Sequence, residues 1–256
     1  MLRARALALL VVAAAGVVAA PARPAPPRVL LVTHSAGYEH DVVRRPAAGA
    51  PSTVERVVAE LGRRSGRFEV TDVHTRGDVE GLTPASIRAH RVILFFTTGE
   101  LPMAPAARQA IFQLVRDGAG FVGLHSAADT WSTVPEYRAL LGGAFDGHPW
   151  HQRVRITVED PAHPATRQLG GTLELSDEIY QFQTWKRADV HVLLRLDLRS
   201  VDAARGHRSD GDYALAWTRH VGRGRVIYIA LGHEPAVWSD ARFQALVLNA
   251  ISWAAR

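Results

Sequence analysis

Apolar residues fall into two kinds of run along this chain, and the change between them divides it. Arg28–Thr33, Arg91–Thr97 (RVILFFT) and Phe121–Leu124 are short and almost continuously apolar. Such runs suit strands buried on both faces. Phe68–His74 reads as another strand. Helical patterns lie between them. Ser52 with Glu55 three residues later is a capping box, and Val54, Val57, Val58 and Leu61 share one face of the helix it opens, which ends near Gly62 or Gly66. Thr83-Pro84 starts a short helix. Pro105 sits in the first turn of a helix over Ala106–Asp117 that stops at Gly118. Strands alternating with helices predict a parallel sheet with helices on both faces.

After His125 the pattern loosens. A short helix around Val134–Leu141 ends at Gly142-Gly143. Strand-like segments follow at Val154–Val158, Leu173–Leu175, Val190–Leu196 and Ala214–Thr218. Gly222 and Gly224 turn the chain into a strong strand, Arg225–Ala230, and Asp240–Arg256 closes it as an amphipathic helix. The expectation is one α/β domain over residues 28–256 with a β-rich addition at roughly residues 150–220.

The N-terminus changes the picture of where this domain works. Arg3 and Arg5 precede an Ala/Val/Leu run, Ala6 to Ala20, and Ala20-Pro21-Ala22 is a small-x-small cleavage site, so residues 1–22 read as an export signal. Residues 23–27 form a Pro-rich linker. The chain has no cysteine, which excludes lipid attachment and disulfides and leaves an ordinary core in a bacterial periplasmic or secreted protein. No later apolar segment is long enough to span a membrane. The formal charge of +5 comes from scattered arginines without interleaved exposed aromatics, so nucleic acid is not an expected partner. The sequence leaves room for a homo-oligomer.

Histidines carry the candidate chemistry. His34, His125 and His233 each end a predicted strand, and ligands of open α/β sheets bind outside the carboxyl ends of the strands. Gly147-His148-Pro149-Trp150-His151 adds two imidazoles and an indole. Gly123-Leu124-His125-Ser126-Ala127 has the form of a nucleophile elbow with histidine at its apex. Imidazole serves there as general base, metal ligand or hydrogen-bonding group, and is a poor covalent nucleophile for acyl transfer. Ser126 is one position off and has no evident triad, which argues against a serine hydrolase. His148 and His151 are candidate ligands for a divalent metal, zinc or manganese, with Glu178 able to complete the shell. A metal-free pocket in which the imidazoles bind sugar hydroxyls stays open beside that reading. Asp129, Thr130 and Tyr180 are candidate pocket groups, and Trp131, Trp150 and Trp185 candidate faces for a pyranose ring.

GAGFVGLHSAADT, LLGGAFDGHPWHQ, DEIYQF and GRVIYIALGHEPAVW together resemble the trehalose-utilisation (ThuA-like) family of the class I glutamine-amidotransferase-like superfamily. Gly37-Tyr38-Glu39-His40-Asp41 is similar to that family's glycine-aromatic-x-histidine-acid segment. The resemblance implies a flavodoxin-like sheet with its elbow after a central strand. Amidotransferases carry an elbow cysteine and a later His and Glu. Here His125 stands at the elbow and His233-Glu234 resembles the later pair, and without the thiolate glutamine hydrolysis is excluded. The family name implies sugar metabolism, in particular disaccharides or glycosides handled as 3-keto derivatives. A ketone beside a glycosidic carbon acidifies the intervening C–H, so an acid/base pair could cleave or isomerise such a sugar. On that reading His125, His233 and Glu178 are catalytic, and His40, Asp129, Trp150 and Tyr180 bind substrate. A sugar oxidoreductase supplying the keto sugar is the implied functional partner. The competing expectation is a carbohydrate-binding accessory domain without turnover.

Overall fold

The continuous apolar runs become the buried centre of one sheet. The computed structural model describes residues 24–47 and 49–256, so the expected export signal at residues 1–22 lies outside the described residues. The first half alternates as expected: β1 (Arg28–Val32), α1 (Thr53–Ser65), β2 (Glu69–Val73), α2 (Arg76–Glu80), α3 (Pro84–Arg88), β3 (Val92–Phe95), α4 (Pro105–Arg116) and β4 (Gly120–Leu124). The second half runs α5 (Pro135–Leu141), β5 (Ala144–Phe145), β6 (Trp150–Val158), β7 (Thr172–Ile179), β8 (Phe182–Gln183), β9 (His191–Leu196), β10 (Ala214–Val221), β11 (Gly224–Ile229), α6 (Pro235–Ser239) and α7 (Ala241–Ala254).

Nine strands lie in the order β2-β1-β3-β4-β11-β10-β9-β6-β7. The first five are mutually parallel and the rest antiparallel. The parallel half has the flavodoxin-like 2-1-3-4-5 order, with β11 as the fifth strand. Helices α1, α6 and α7 pack together, as do α3, α4 and α5, and both groups reach β11 or β4. The capping box at α1 is present: Glu55 N–H donates to Ser52 and Ser52 N–H to the Glu55 carboxylate. Helix α1 ends at Gly66, whose φ of 62° is the left-handed cap.

The β-rich segment continues this sheet, and its last hairpin positions the site. Strand β6 pairs with β9 only through Ile156–Val158, but with β7 from Trp150 to Thr157. The open end of the β6–β7 hairpin is thereby free of the sheet. Although β7 is the edge strand, its C-terminal end meets the chain just after β11. Both strands are longer than the expected Val154–Val158 and Leu173–Leu175, so that His151 and Glu178 lie on strands. Helix α2, not anticipated, is a five-residue turn closed by a Thr75–Asp78 capping box. Among the described residues no helix is long and apolar enough to cross a membrane.

Candidate functional site

The loop after β1 delivers Tyr38 and His40. It is laid against the end of β3 by Ala36 N–H donating to Thr98 O (2.9 Å), and Thr98 Oγ1 in turn donates to Tyr38 O (2.8 Å). Contact is close because Gly99 has φ 71°, and a Cβ there would meet the Gly37 nitrogen at 2.7 Å. Buried Val42 and Val43 anchor the far side of the loop. His40 is consequently buried, with its Nδ1 lacking any hydrogen-bond partner.

His125 stands at the sharp turn after β4 with φ 42°, a left-handed conformation unusual for a residue with a Cβ. Its carbonyl accepts from the Tyr228 hydroxyl (2.6 Å), which pins the turn. The ring's Nδ1 lies 2.7 Å from Ala230 O. A carbonyl only accepts, so Nδ1 carries the proton, and in the neutral ring Nε2 presents a lone pair. That lone pair faces Glu178 Oε2 at 3.5 Å and His233 Nδ1 at 3.3 Å.

His233 follows β11 and is held from below by Asp177. This fully buried carboxylate accepts from Gly232 N–H (2.7 Å) and Glu234 N–H (3.0 Å), straddling His233. His233 Nδ1 then lies 3.1 Å from Glu178 Oε2. The potential ligand atoms of His40, His125, Glu178 and His233 all lie within 4.8 Å of one another. They come from four separate stretches of chain.

The electrostatics follow from that crowding. Burial and the neighbouring His125 and His233 rings hold His40 down to about 3, so it is a neutral imidazole with a free lone pair. Burial alone would raise Glu178, but the His125 and His233 rings, in their protonated forms, donate to it and outweigh burial, holding this carboxyl well below the usual range. His233 is raised by its hydrogen bond to Glu178. An anion, an unpartnered nitrogen at His40 and a lone pair at His125 converge with no arginine or lysine among the described residues to neutralise them. This is the donor set of a divalent-cation site, and the buried His/Glu group could bind a metal.

Above the cluster opens a cavity of about 400 Å³, lined by His40, Glu178 and His233 on its floor and by Tyr38, Phe145 and Tyr180 among its walls. Asp129 and His148 also face it. Tyr180 stacks at a tilt on His125, with ring centroids 4.2 Å apart.

Several expected positions are corrected. His148 and His151 do not share one group: His148 Nδ1 is 3.3 Å from Glu178 Oε1, whereas His151 Nε2 is 2.6 Å from Glu234 Oε1, in a smaller cluster with His233. His151 lies on β6, whereas His148 precedes that strand, with Pro149 and Trp150 between them. His34 turns towards the opposite edge, its Nδ1 3.0 Å from His74 O. Trp150 is fully buried against Tyr213 and donates to Asp202 O, so it offers the cavity no face. Trp131, Trp185 and Thr130 are buried as well. Besides the expected Tyr180, the aromatic faces are Tyr38 and Phe145, which sequence reasoning did not select. Both lie inside the quoted family segments, and Tyr38 is the exposed large apolar residue among those described, at 65%.

The comparisons agree with this architecture. The family model described as ThuA, trehalose utilisation, matches residues 28–254. A putative ThuA-like protein from Bacteroides uniformis is 24% identical, with TM-score 0.71 over 92% of this chain and 94% of its own. One from Parabacteroides merdae is 18% identical, with TM-score 0.72 over 90% of each chain. The PurLQS structure from Thermotoga maritima, at 14% identity and TM-score 0.51 over 89% of this chain and 99% of the matched one, shares the glutamine-amidotransferase-like fold. No curated protein sequence matches. With its fold, its elbow and nearly its whole length accounted for by that model, the chain belongs to the trehalose-utilisation (ThuA) family.

Proposed function

We propose that this protein is an exported enzyme that uses acid/base chemistry, assisted by a divalent cation, on a disaccharide or glycoside in its 3-keto form. The observation that carries the reading is the convergence of His40, His125, His233 and Glu178 within 4.8 Å beneath a cavity of about 400 Å³. These four residues would hold zinc or manganese. Such an ion, when bound, supplies Lewis-acid stabilisation to an enediolate oxygen.

The remaining cavity groups suit a sugar. Among the described residues no lysine or arginine lines the cavity, so nothing there favours a phosphate or carboxylate substituent. Tyr38, Phe145 and Tyr180 offer apolar ring faces. His148, 52% exposed in its side chain, is the candidate base. Its Nδ1 lies 3.3 Å from Glu178 Oε1; a proton held on that side would leave Nε2 with the lone pair that removes a proton beside the ketone. Export, suggested by residues 1–22, would place the reaction in the periplasm or outside the cell.

The test is turnover of a 3-keto disaccharide by protein purified without a histidine tag, before and after chelation. Turnover that disappears with the chelator and returns with zinc or manganese is expected. Tight sugar binding without turnover under every metal condition would overturn the enzyme reading in favour of an accessory binding domain.

A further inference from the structure

Asp129 is the one cavity acid without a partner among the described residues. It ends the short 3-10 turn His125–Asp129 that follows the elbow, half-buried, with its side chain on the cavity. Other acids withdrawn from water in this molecule are compensated. Glu55 meets Arg45, Glu159 meets Arg187 and Arg195, Asp197 meets Arg199, Asp177 takes two backbone N–H groups, and Glu178 has its histidines. The Asp129 carboxylate has neither an ion pair nor a side-chain hydrogen bond. Leaving a half-buried acid uncompensated costs stability, and such a group in a cleft marks a functional position.

We propose that Asp129 is the general acid that protonates the departing glycosidic oxygen. The assignment rests on the sugar-cleaving reading above. Two carboxyl groups share the cavity in opposite environments. Glu178 lies against His125, His148 and His233, whereas Asp129 has no side-chain partner and burial raises it. Environments that push two acids apart in this way separate the group that stays charged from the group that carries a proton.

The step balances without an oxidant or reductant. The base takes the C2 proton, and the C2–H electron pair becomes the C1=C2 double bond conjugated with the C3 ketone. The C1–O bond breaks, its pair goes to the leaving oxygen, and that oxygen takes the Asp129 proton. Products are an unsaturated keto sugar and an alcohol. Water re-protonates Asp129, and the base loses its proton to water.

The experiment compares the wild type, Asp129→Asn and Asp129→Glu on two substrates, a 3-keto disaccharide and 4-nitrophenyl 3-keto-glucoside, whose leaving group departs without protonation. Asp129→Asn is expected to lose about 100-fold or more in kcat on the disaccharide, the range of a lost general acid, and little on the nitrophenyl substrate. Asp129→Glu should recover part of the loss. The wild-type rate should fall as pH rises through the raised pKa of Asp129, and Asp129→Asn should lose that limb. Its Tm measured above that pKa should rise, because an uncompensated charge is gone. Equal loss on both substrates, or none on either, overturns the acid assignment while leaving the cleavage reading intact. A wild type inert towards both substrates overturns that reading and the assignment with it.

Discussion

Two corners of this sheet are built from the same parts and behave as opposites. At the β2 edge, Glu55 is buried with a Thr33 hydroxyl at 2.6 Å, Arg45 Nε at 2.9 Å, Ser52 N–H at 2.8 Å and His74 Nδ1 at 3.2 Å. At the carboxyl ends of the central strands β4 and β11, Glu178 is buried among His125, His148 and His233. Both put a glutamate and histidine at the carboxyl ends of the strands. The first is complete: its acid has a guanidinium and neutral donors, and it staples the loop after β1 to α1. The second has only imidazoles, one with an orphaned nitrogen, and a cavity above it. A buried acid satisfied by its own fold is structural, and one left waiting for a cation is a site.

Exchanging the two acids for amides should separate them most sharply. Glu178→Gln should weaken zinc or manganese binding by at least about 100-fold, since even outer-shell losses reach that size, while leaving the melting temperature nearly unchanged. Calorimetric titration measures it. Glu55→Gln should leave metal binding intact and cost about 3 kcal/mol in denaturant unfolding, because a buried ion pair is broken from one side.

Acid sharpens the same contrast. Burial alone would raise Glu55, but Arg45, Thr33 and Ser52 more than offset it, so its folded pKa lies below the usual carboxylate range. A lowered carboxyl pKa stabilises above the unfolded value and loses that contribution as pH falls through the folded one. Stability measured from pH 7 downward should therefore decline below the ordinary carboxylate range, and Glu55→Gln should flatten that part of the curve.

Smaller effects belong to the loop that joins the corners. Gly99→Ala drives a Cβ against the Gly37 backbone at a left-handed φ, and should cost about 1–3 kcal/mol and loosen His40. Tyr38→Ala removes an exposed ring and should change stability by less than about 0.5 kcal/mol, with its effect confined to sugar affinity. A large Tm loss in this variant would mean that Tyr38 is a packing residue.

What could be read before the coordinates follows from range of interaction. The parallel strands β1, β3, β4 and β11 were legible because a strand buried on both faces writes a continuous apolar run. His125 and His233 were legible because each ends such a run. His34 also ends one, but the rule fixes only the edge of the sheet, and its ring turned to His74 on the β2 side. Glu178 was legible as a candidate, yet its placement depends on the β6–β7 hairpin returning over β11, which no local pattern encodes. Trp150 looked like a sugar platform because an indole's burial is decided by distant partners, here Tyr213 and Asp202. The role of Asp177 beneath His233 needs two backbone N–H groups more than fifty residues away.

The account stands or falls on whether a cation occupies the second corner. Anomalous diffraction from crystals of untagged protein grown with zinc or manganese is the direct measurement. A single strong peak at about 2.0–2.2 Å from the nitrogens of His40, His125 and His233 and a Glu178 oxygen is predicted. No peak there, with His125 Nε2 and Glu178 joined only by a shared proton, would contradict it.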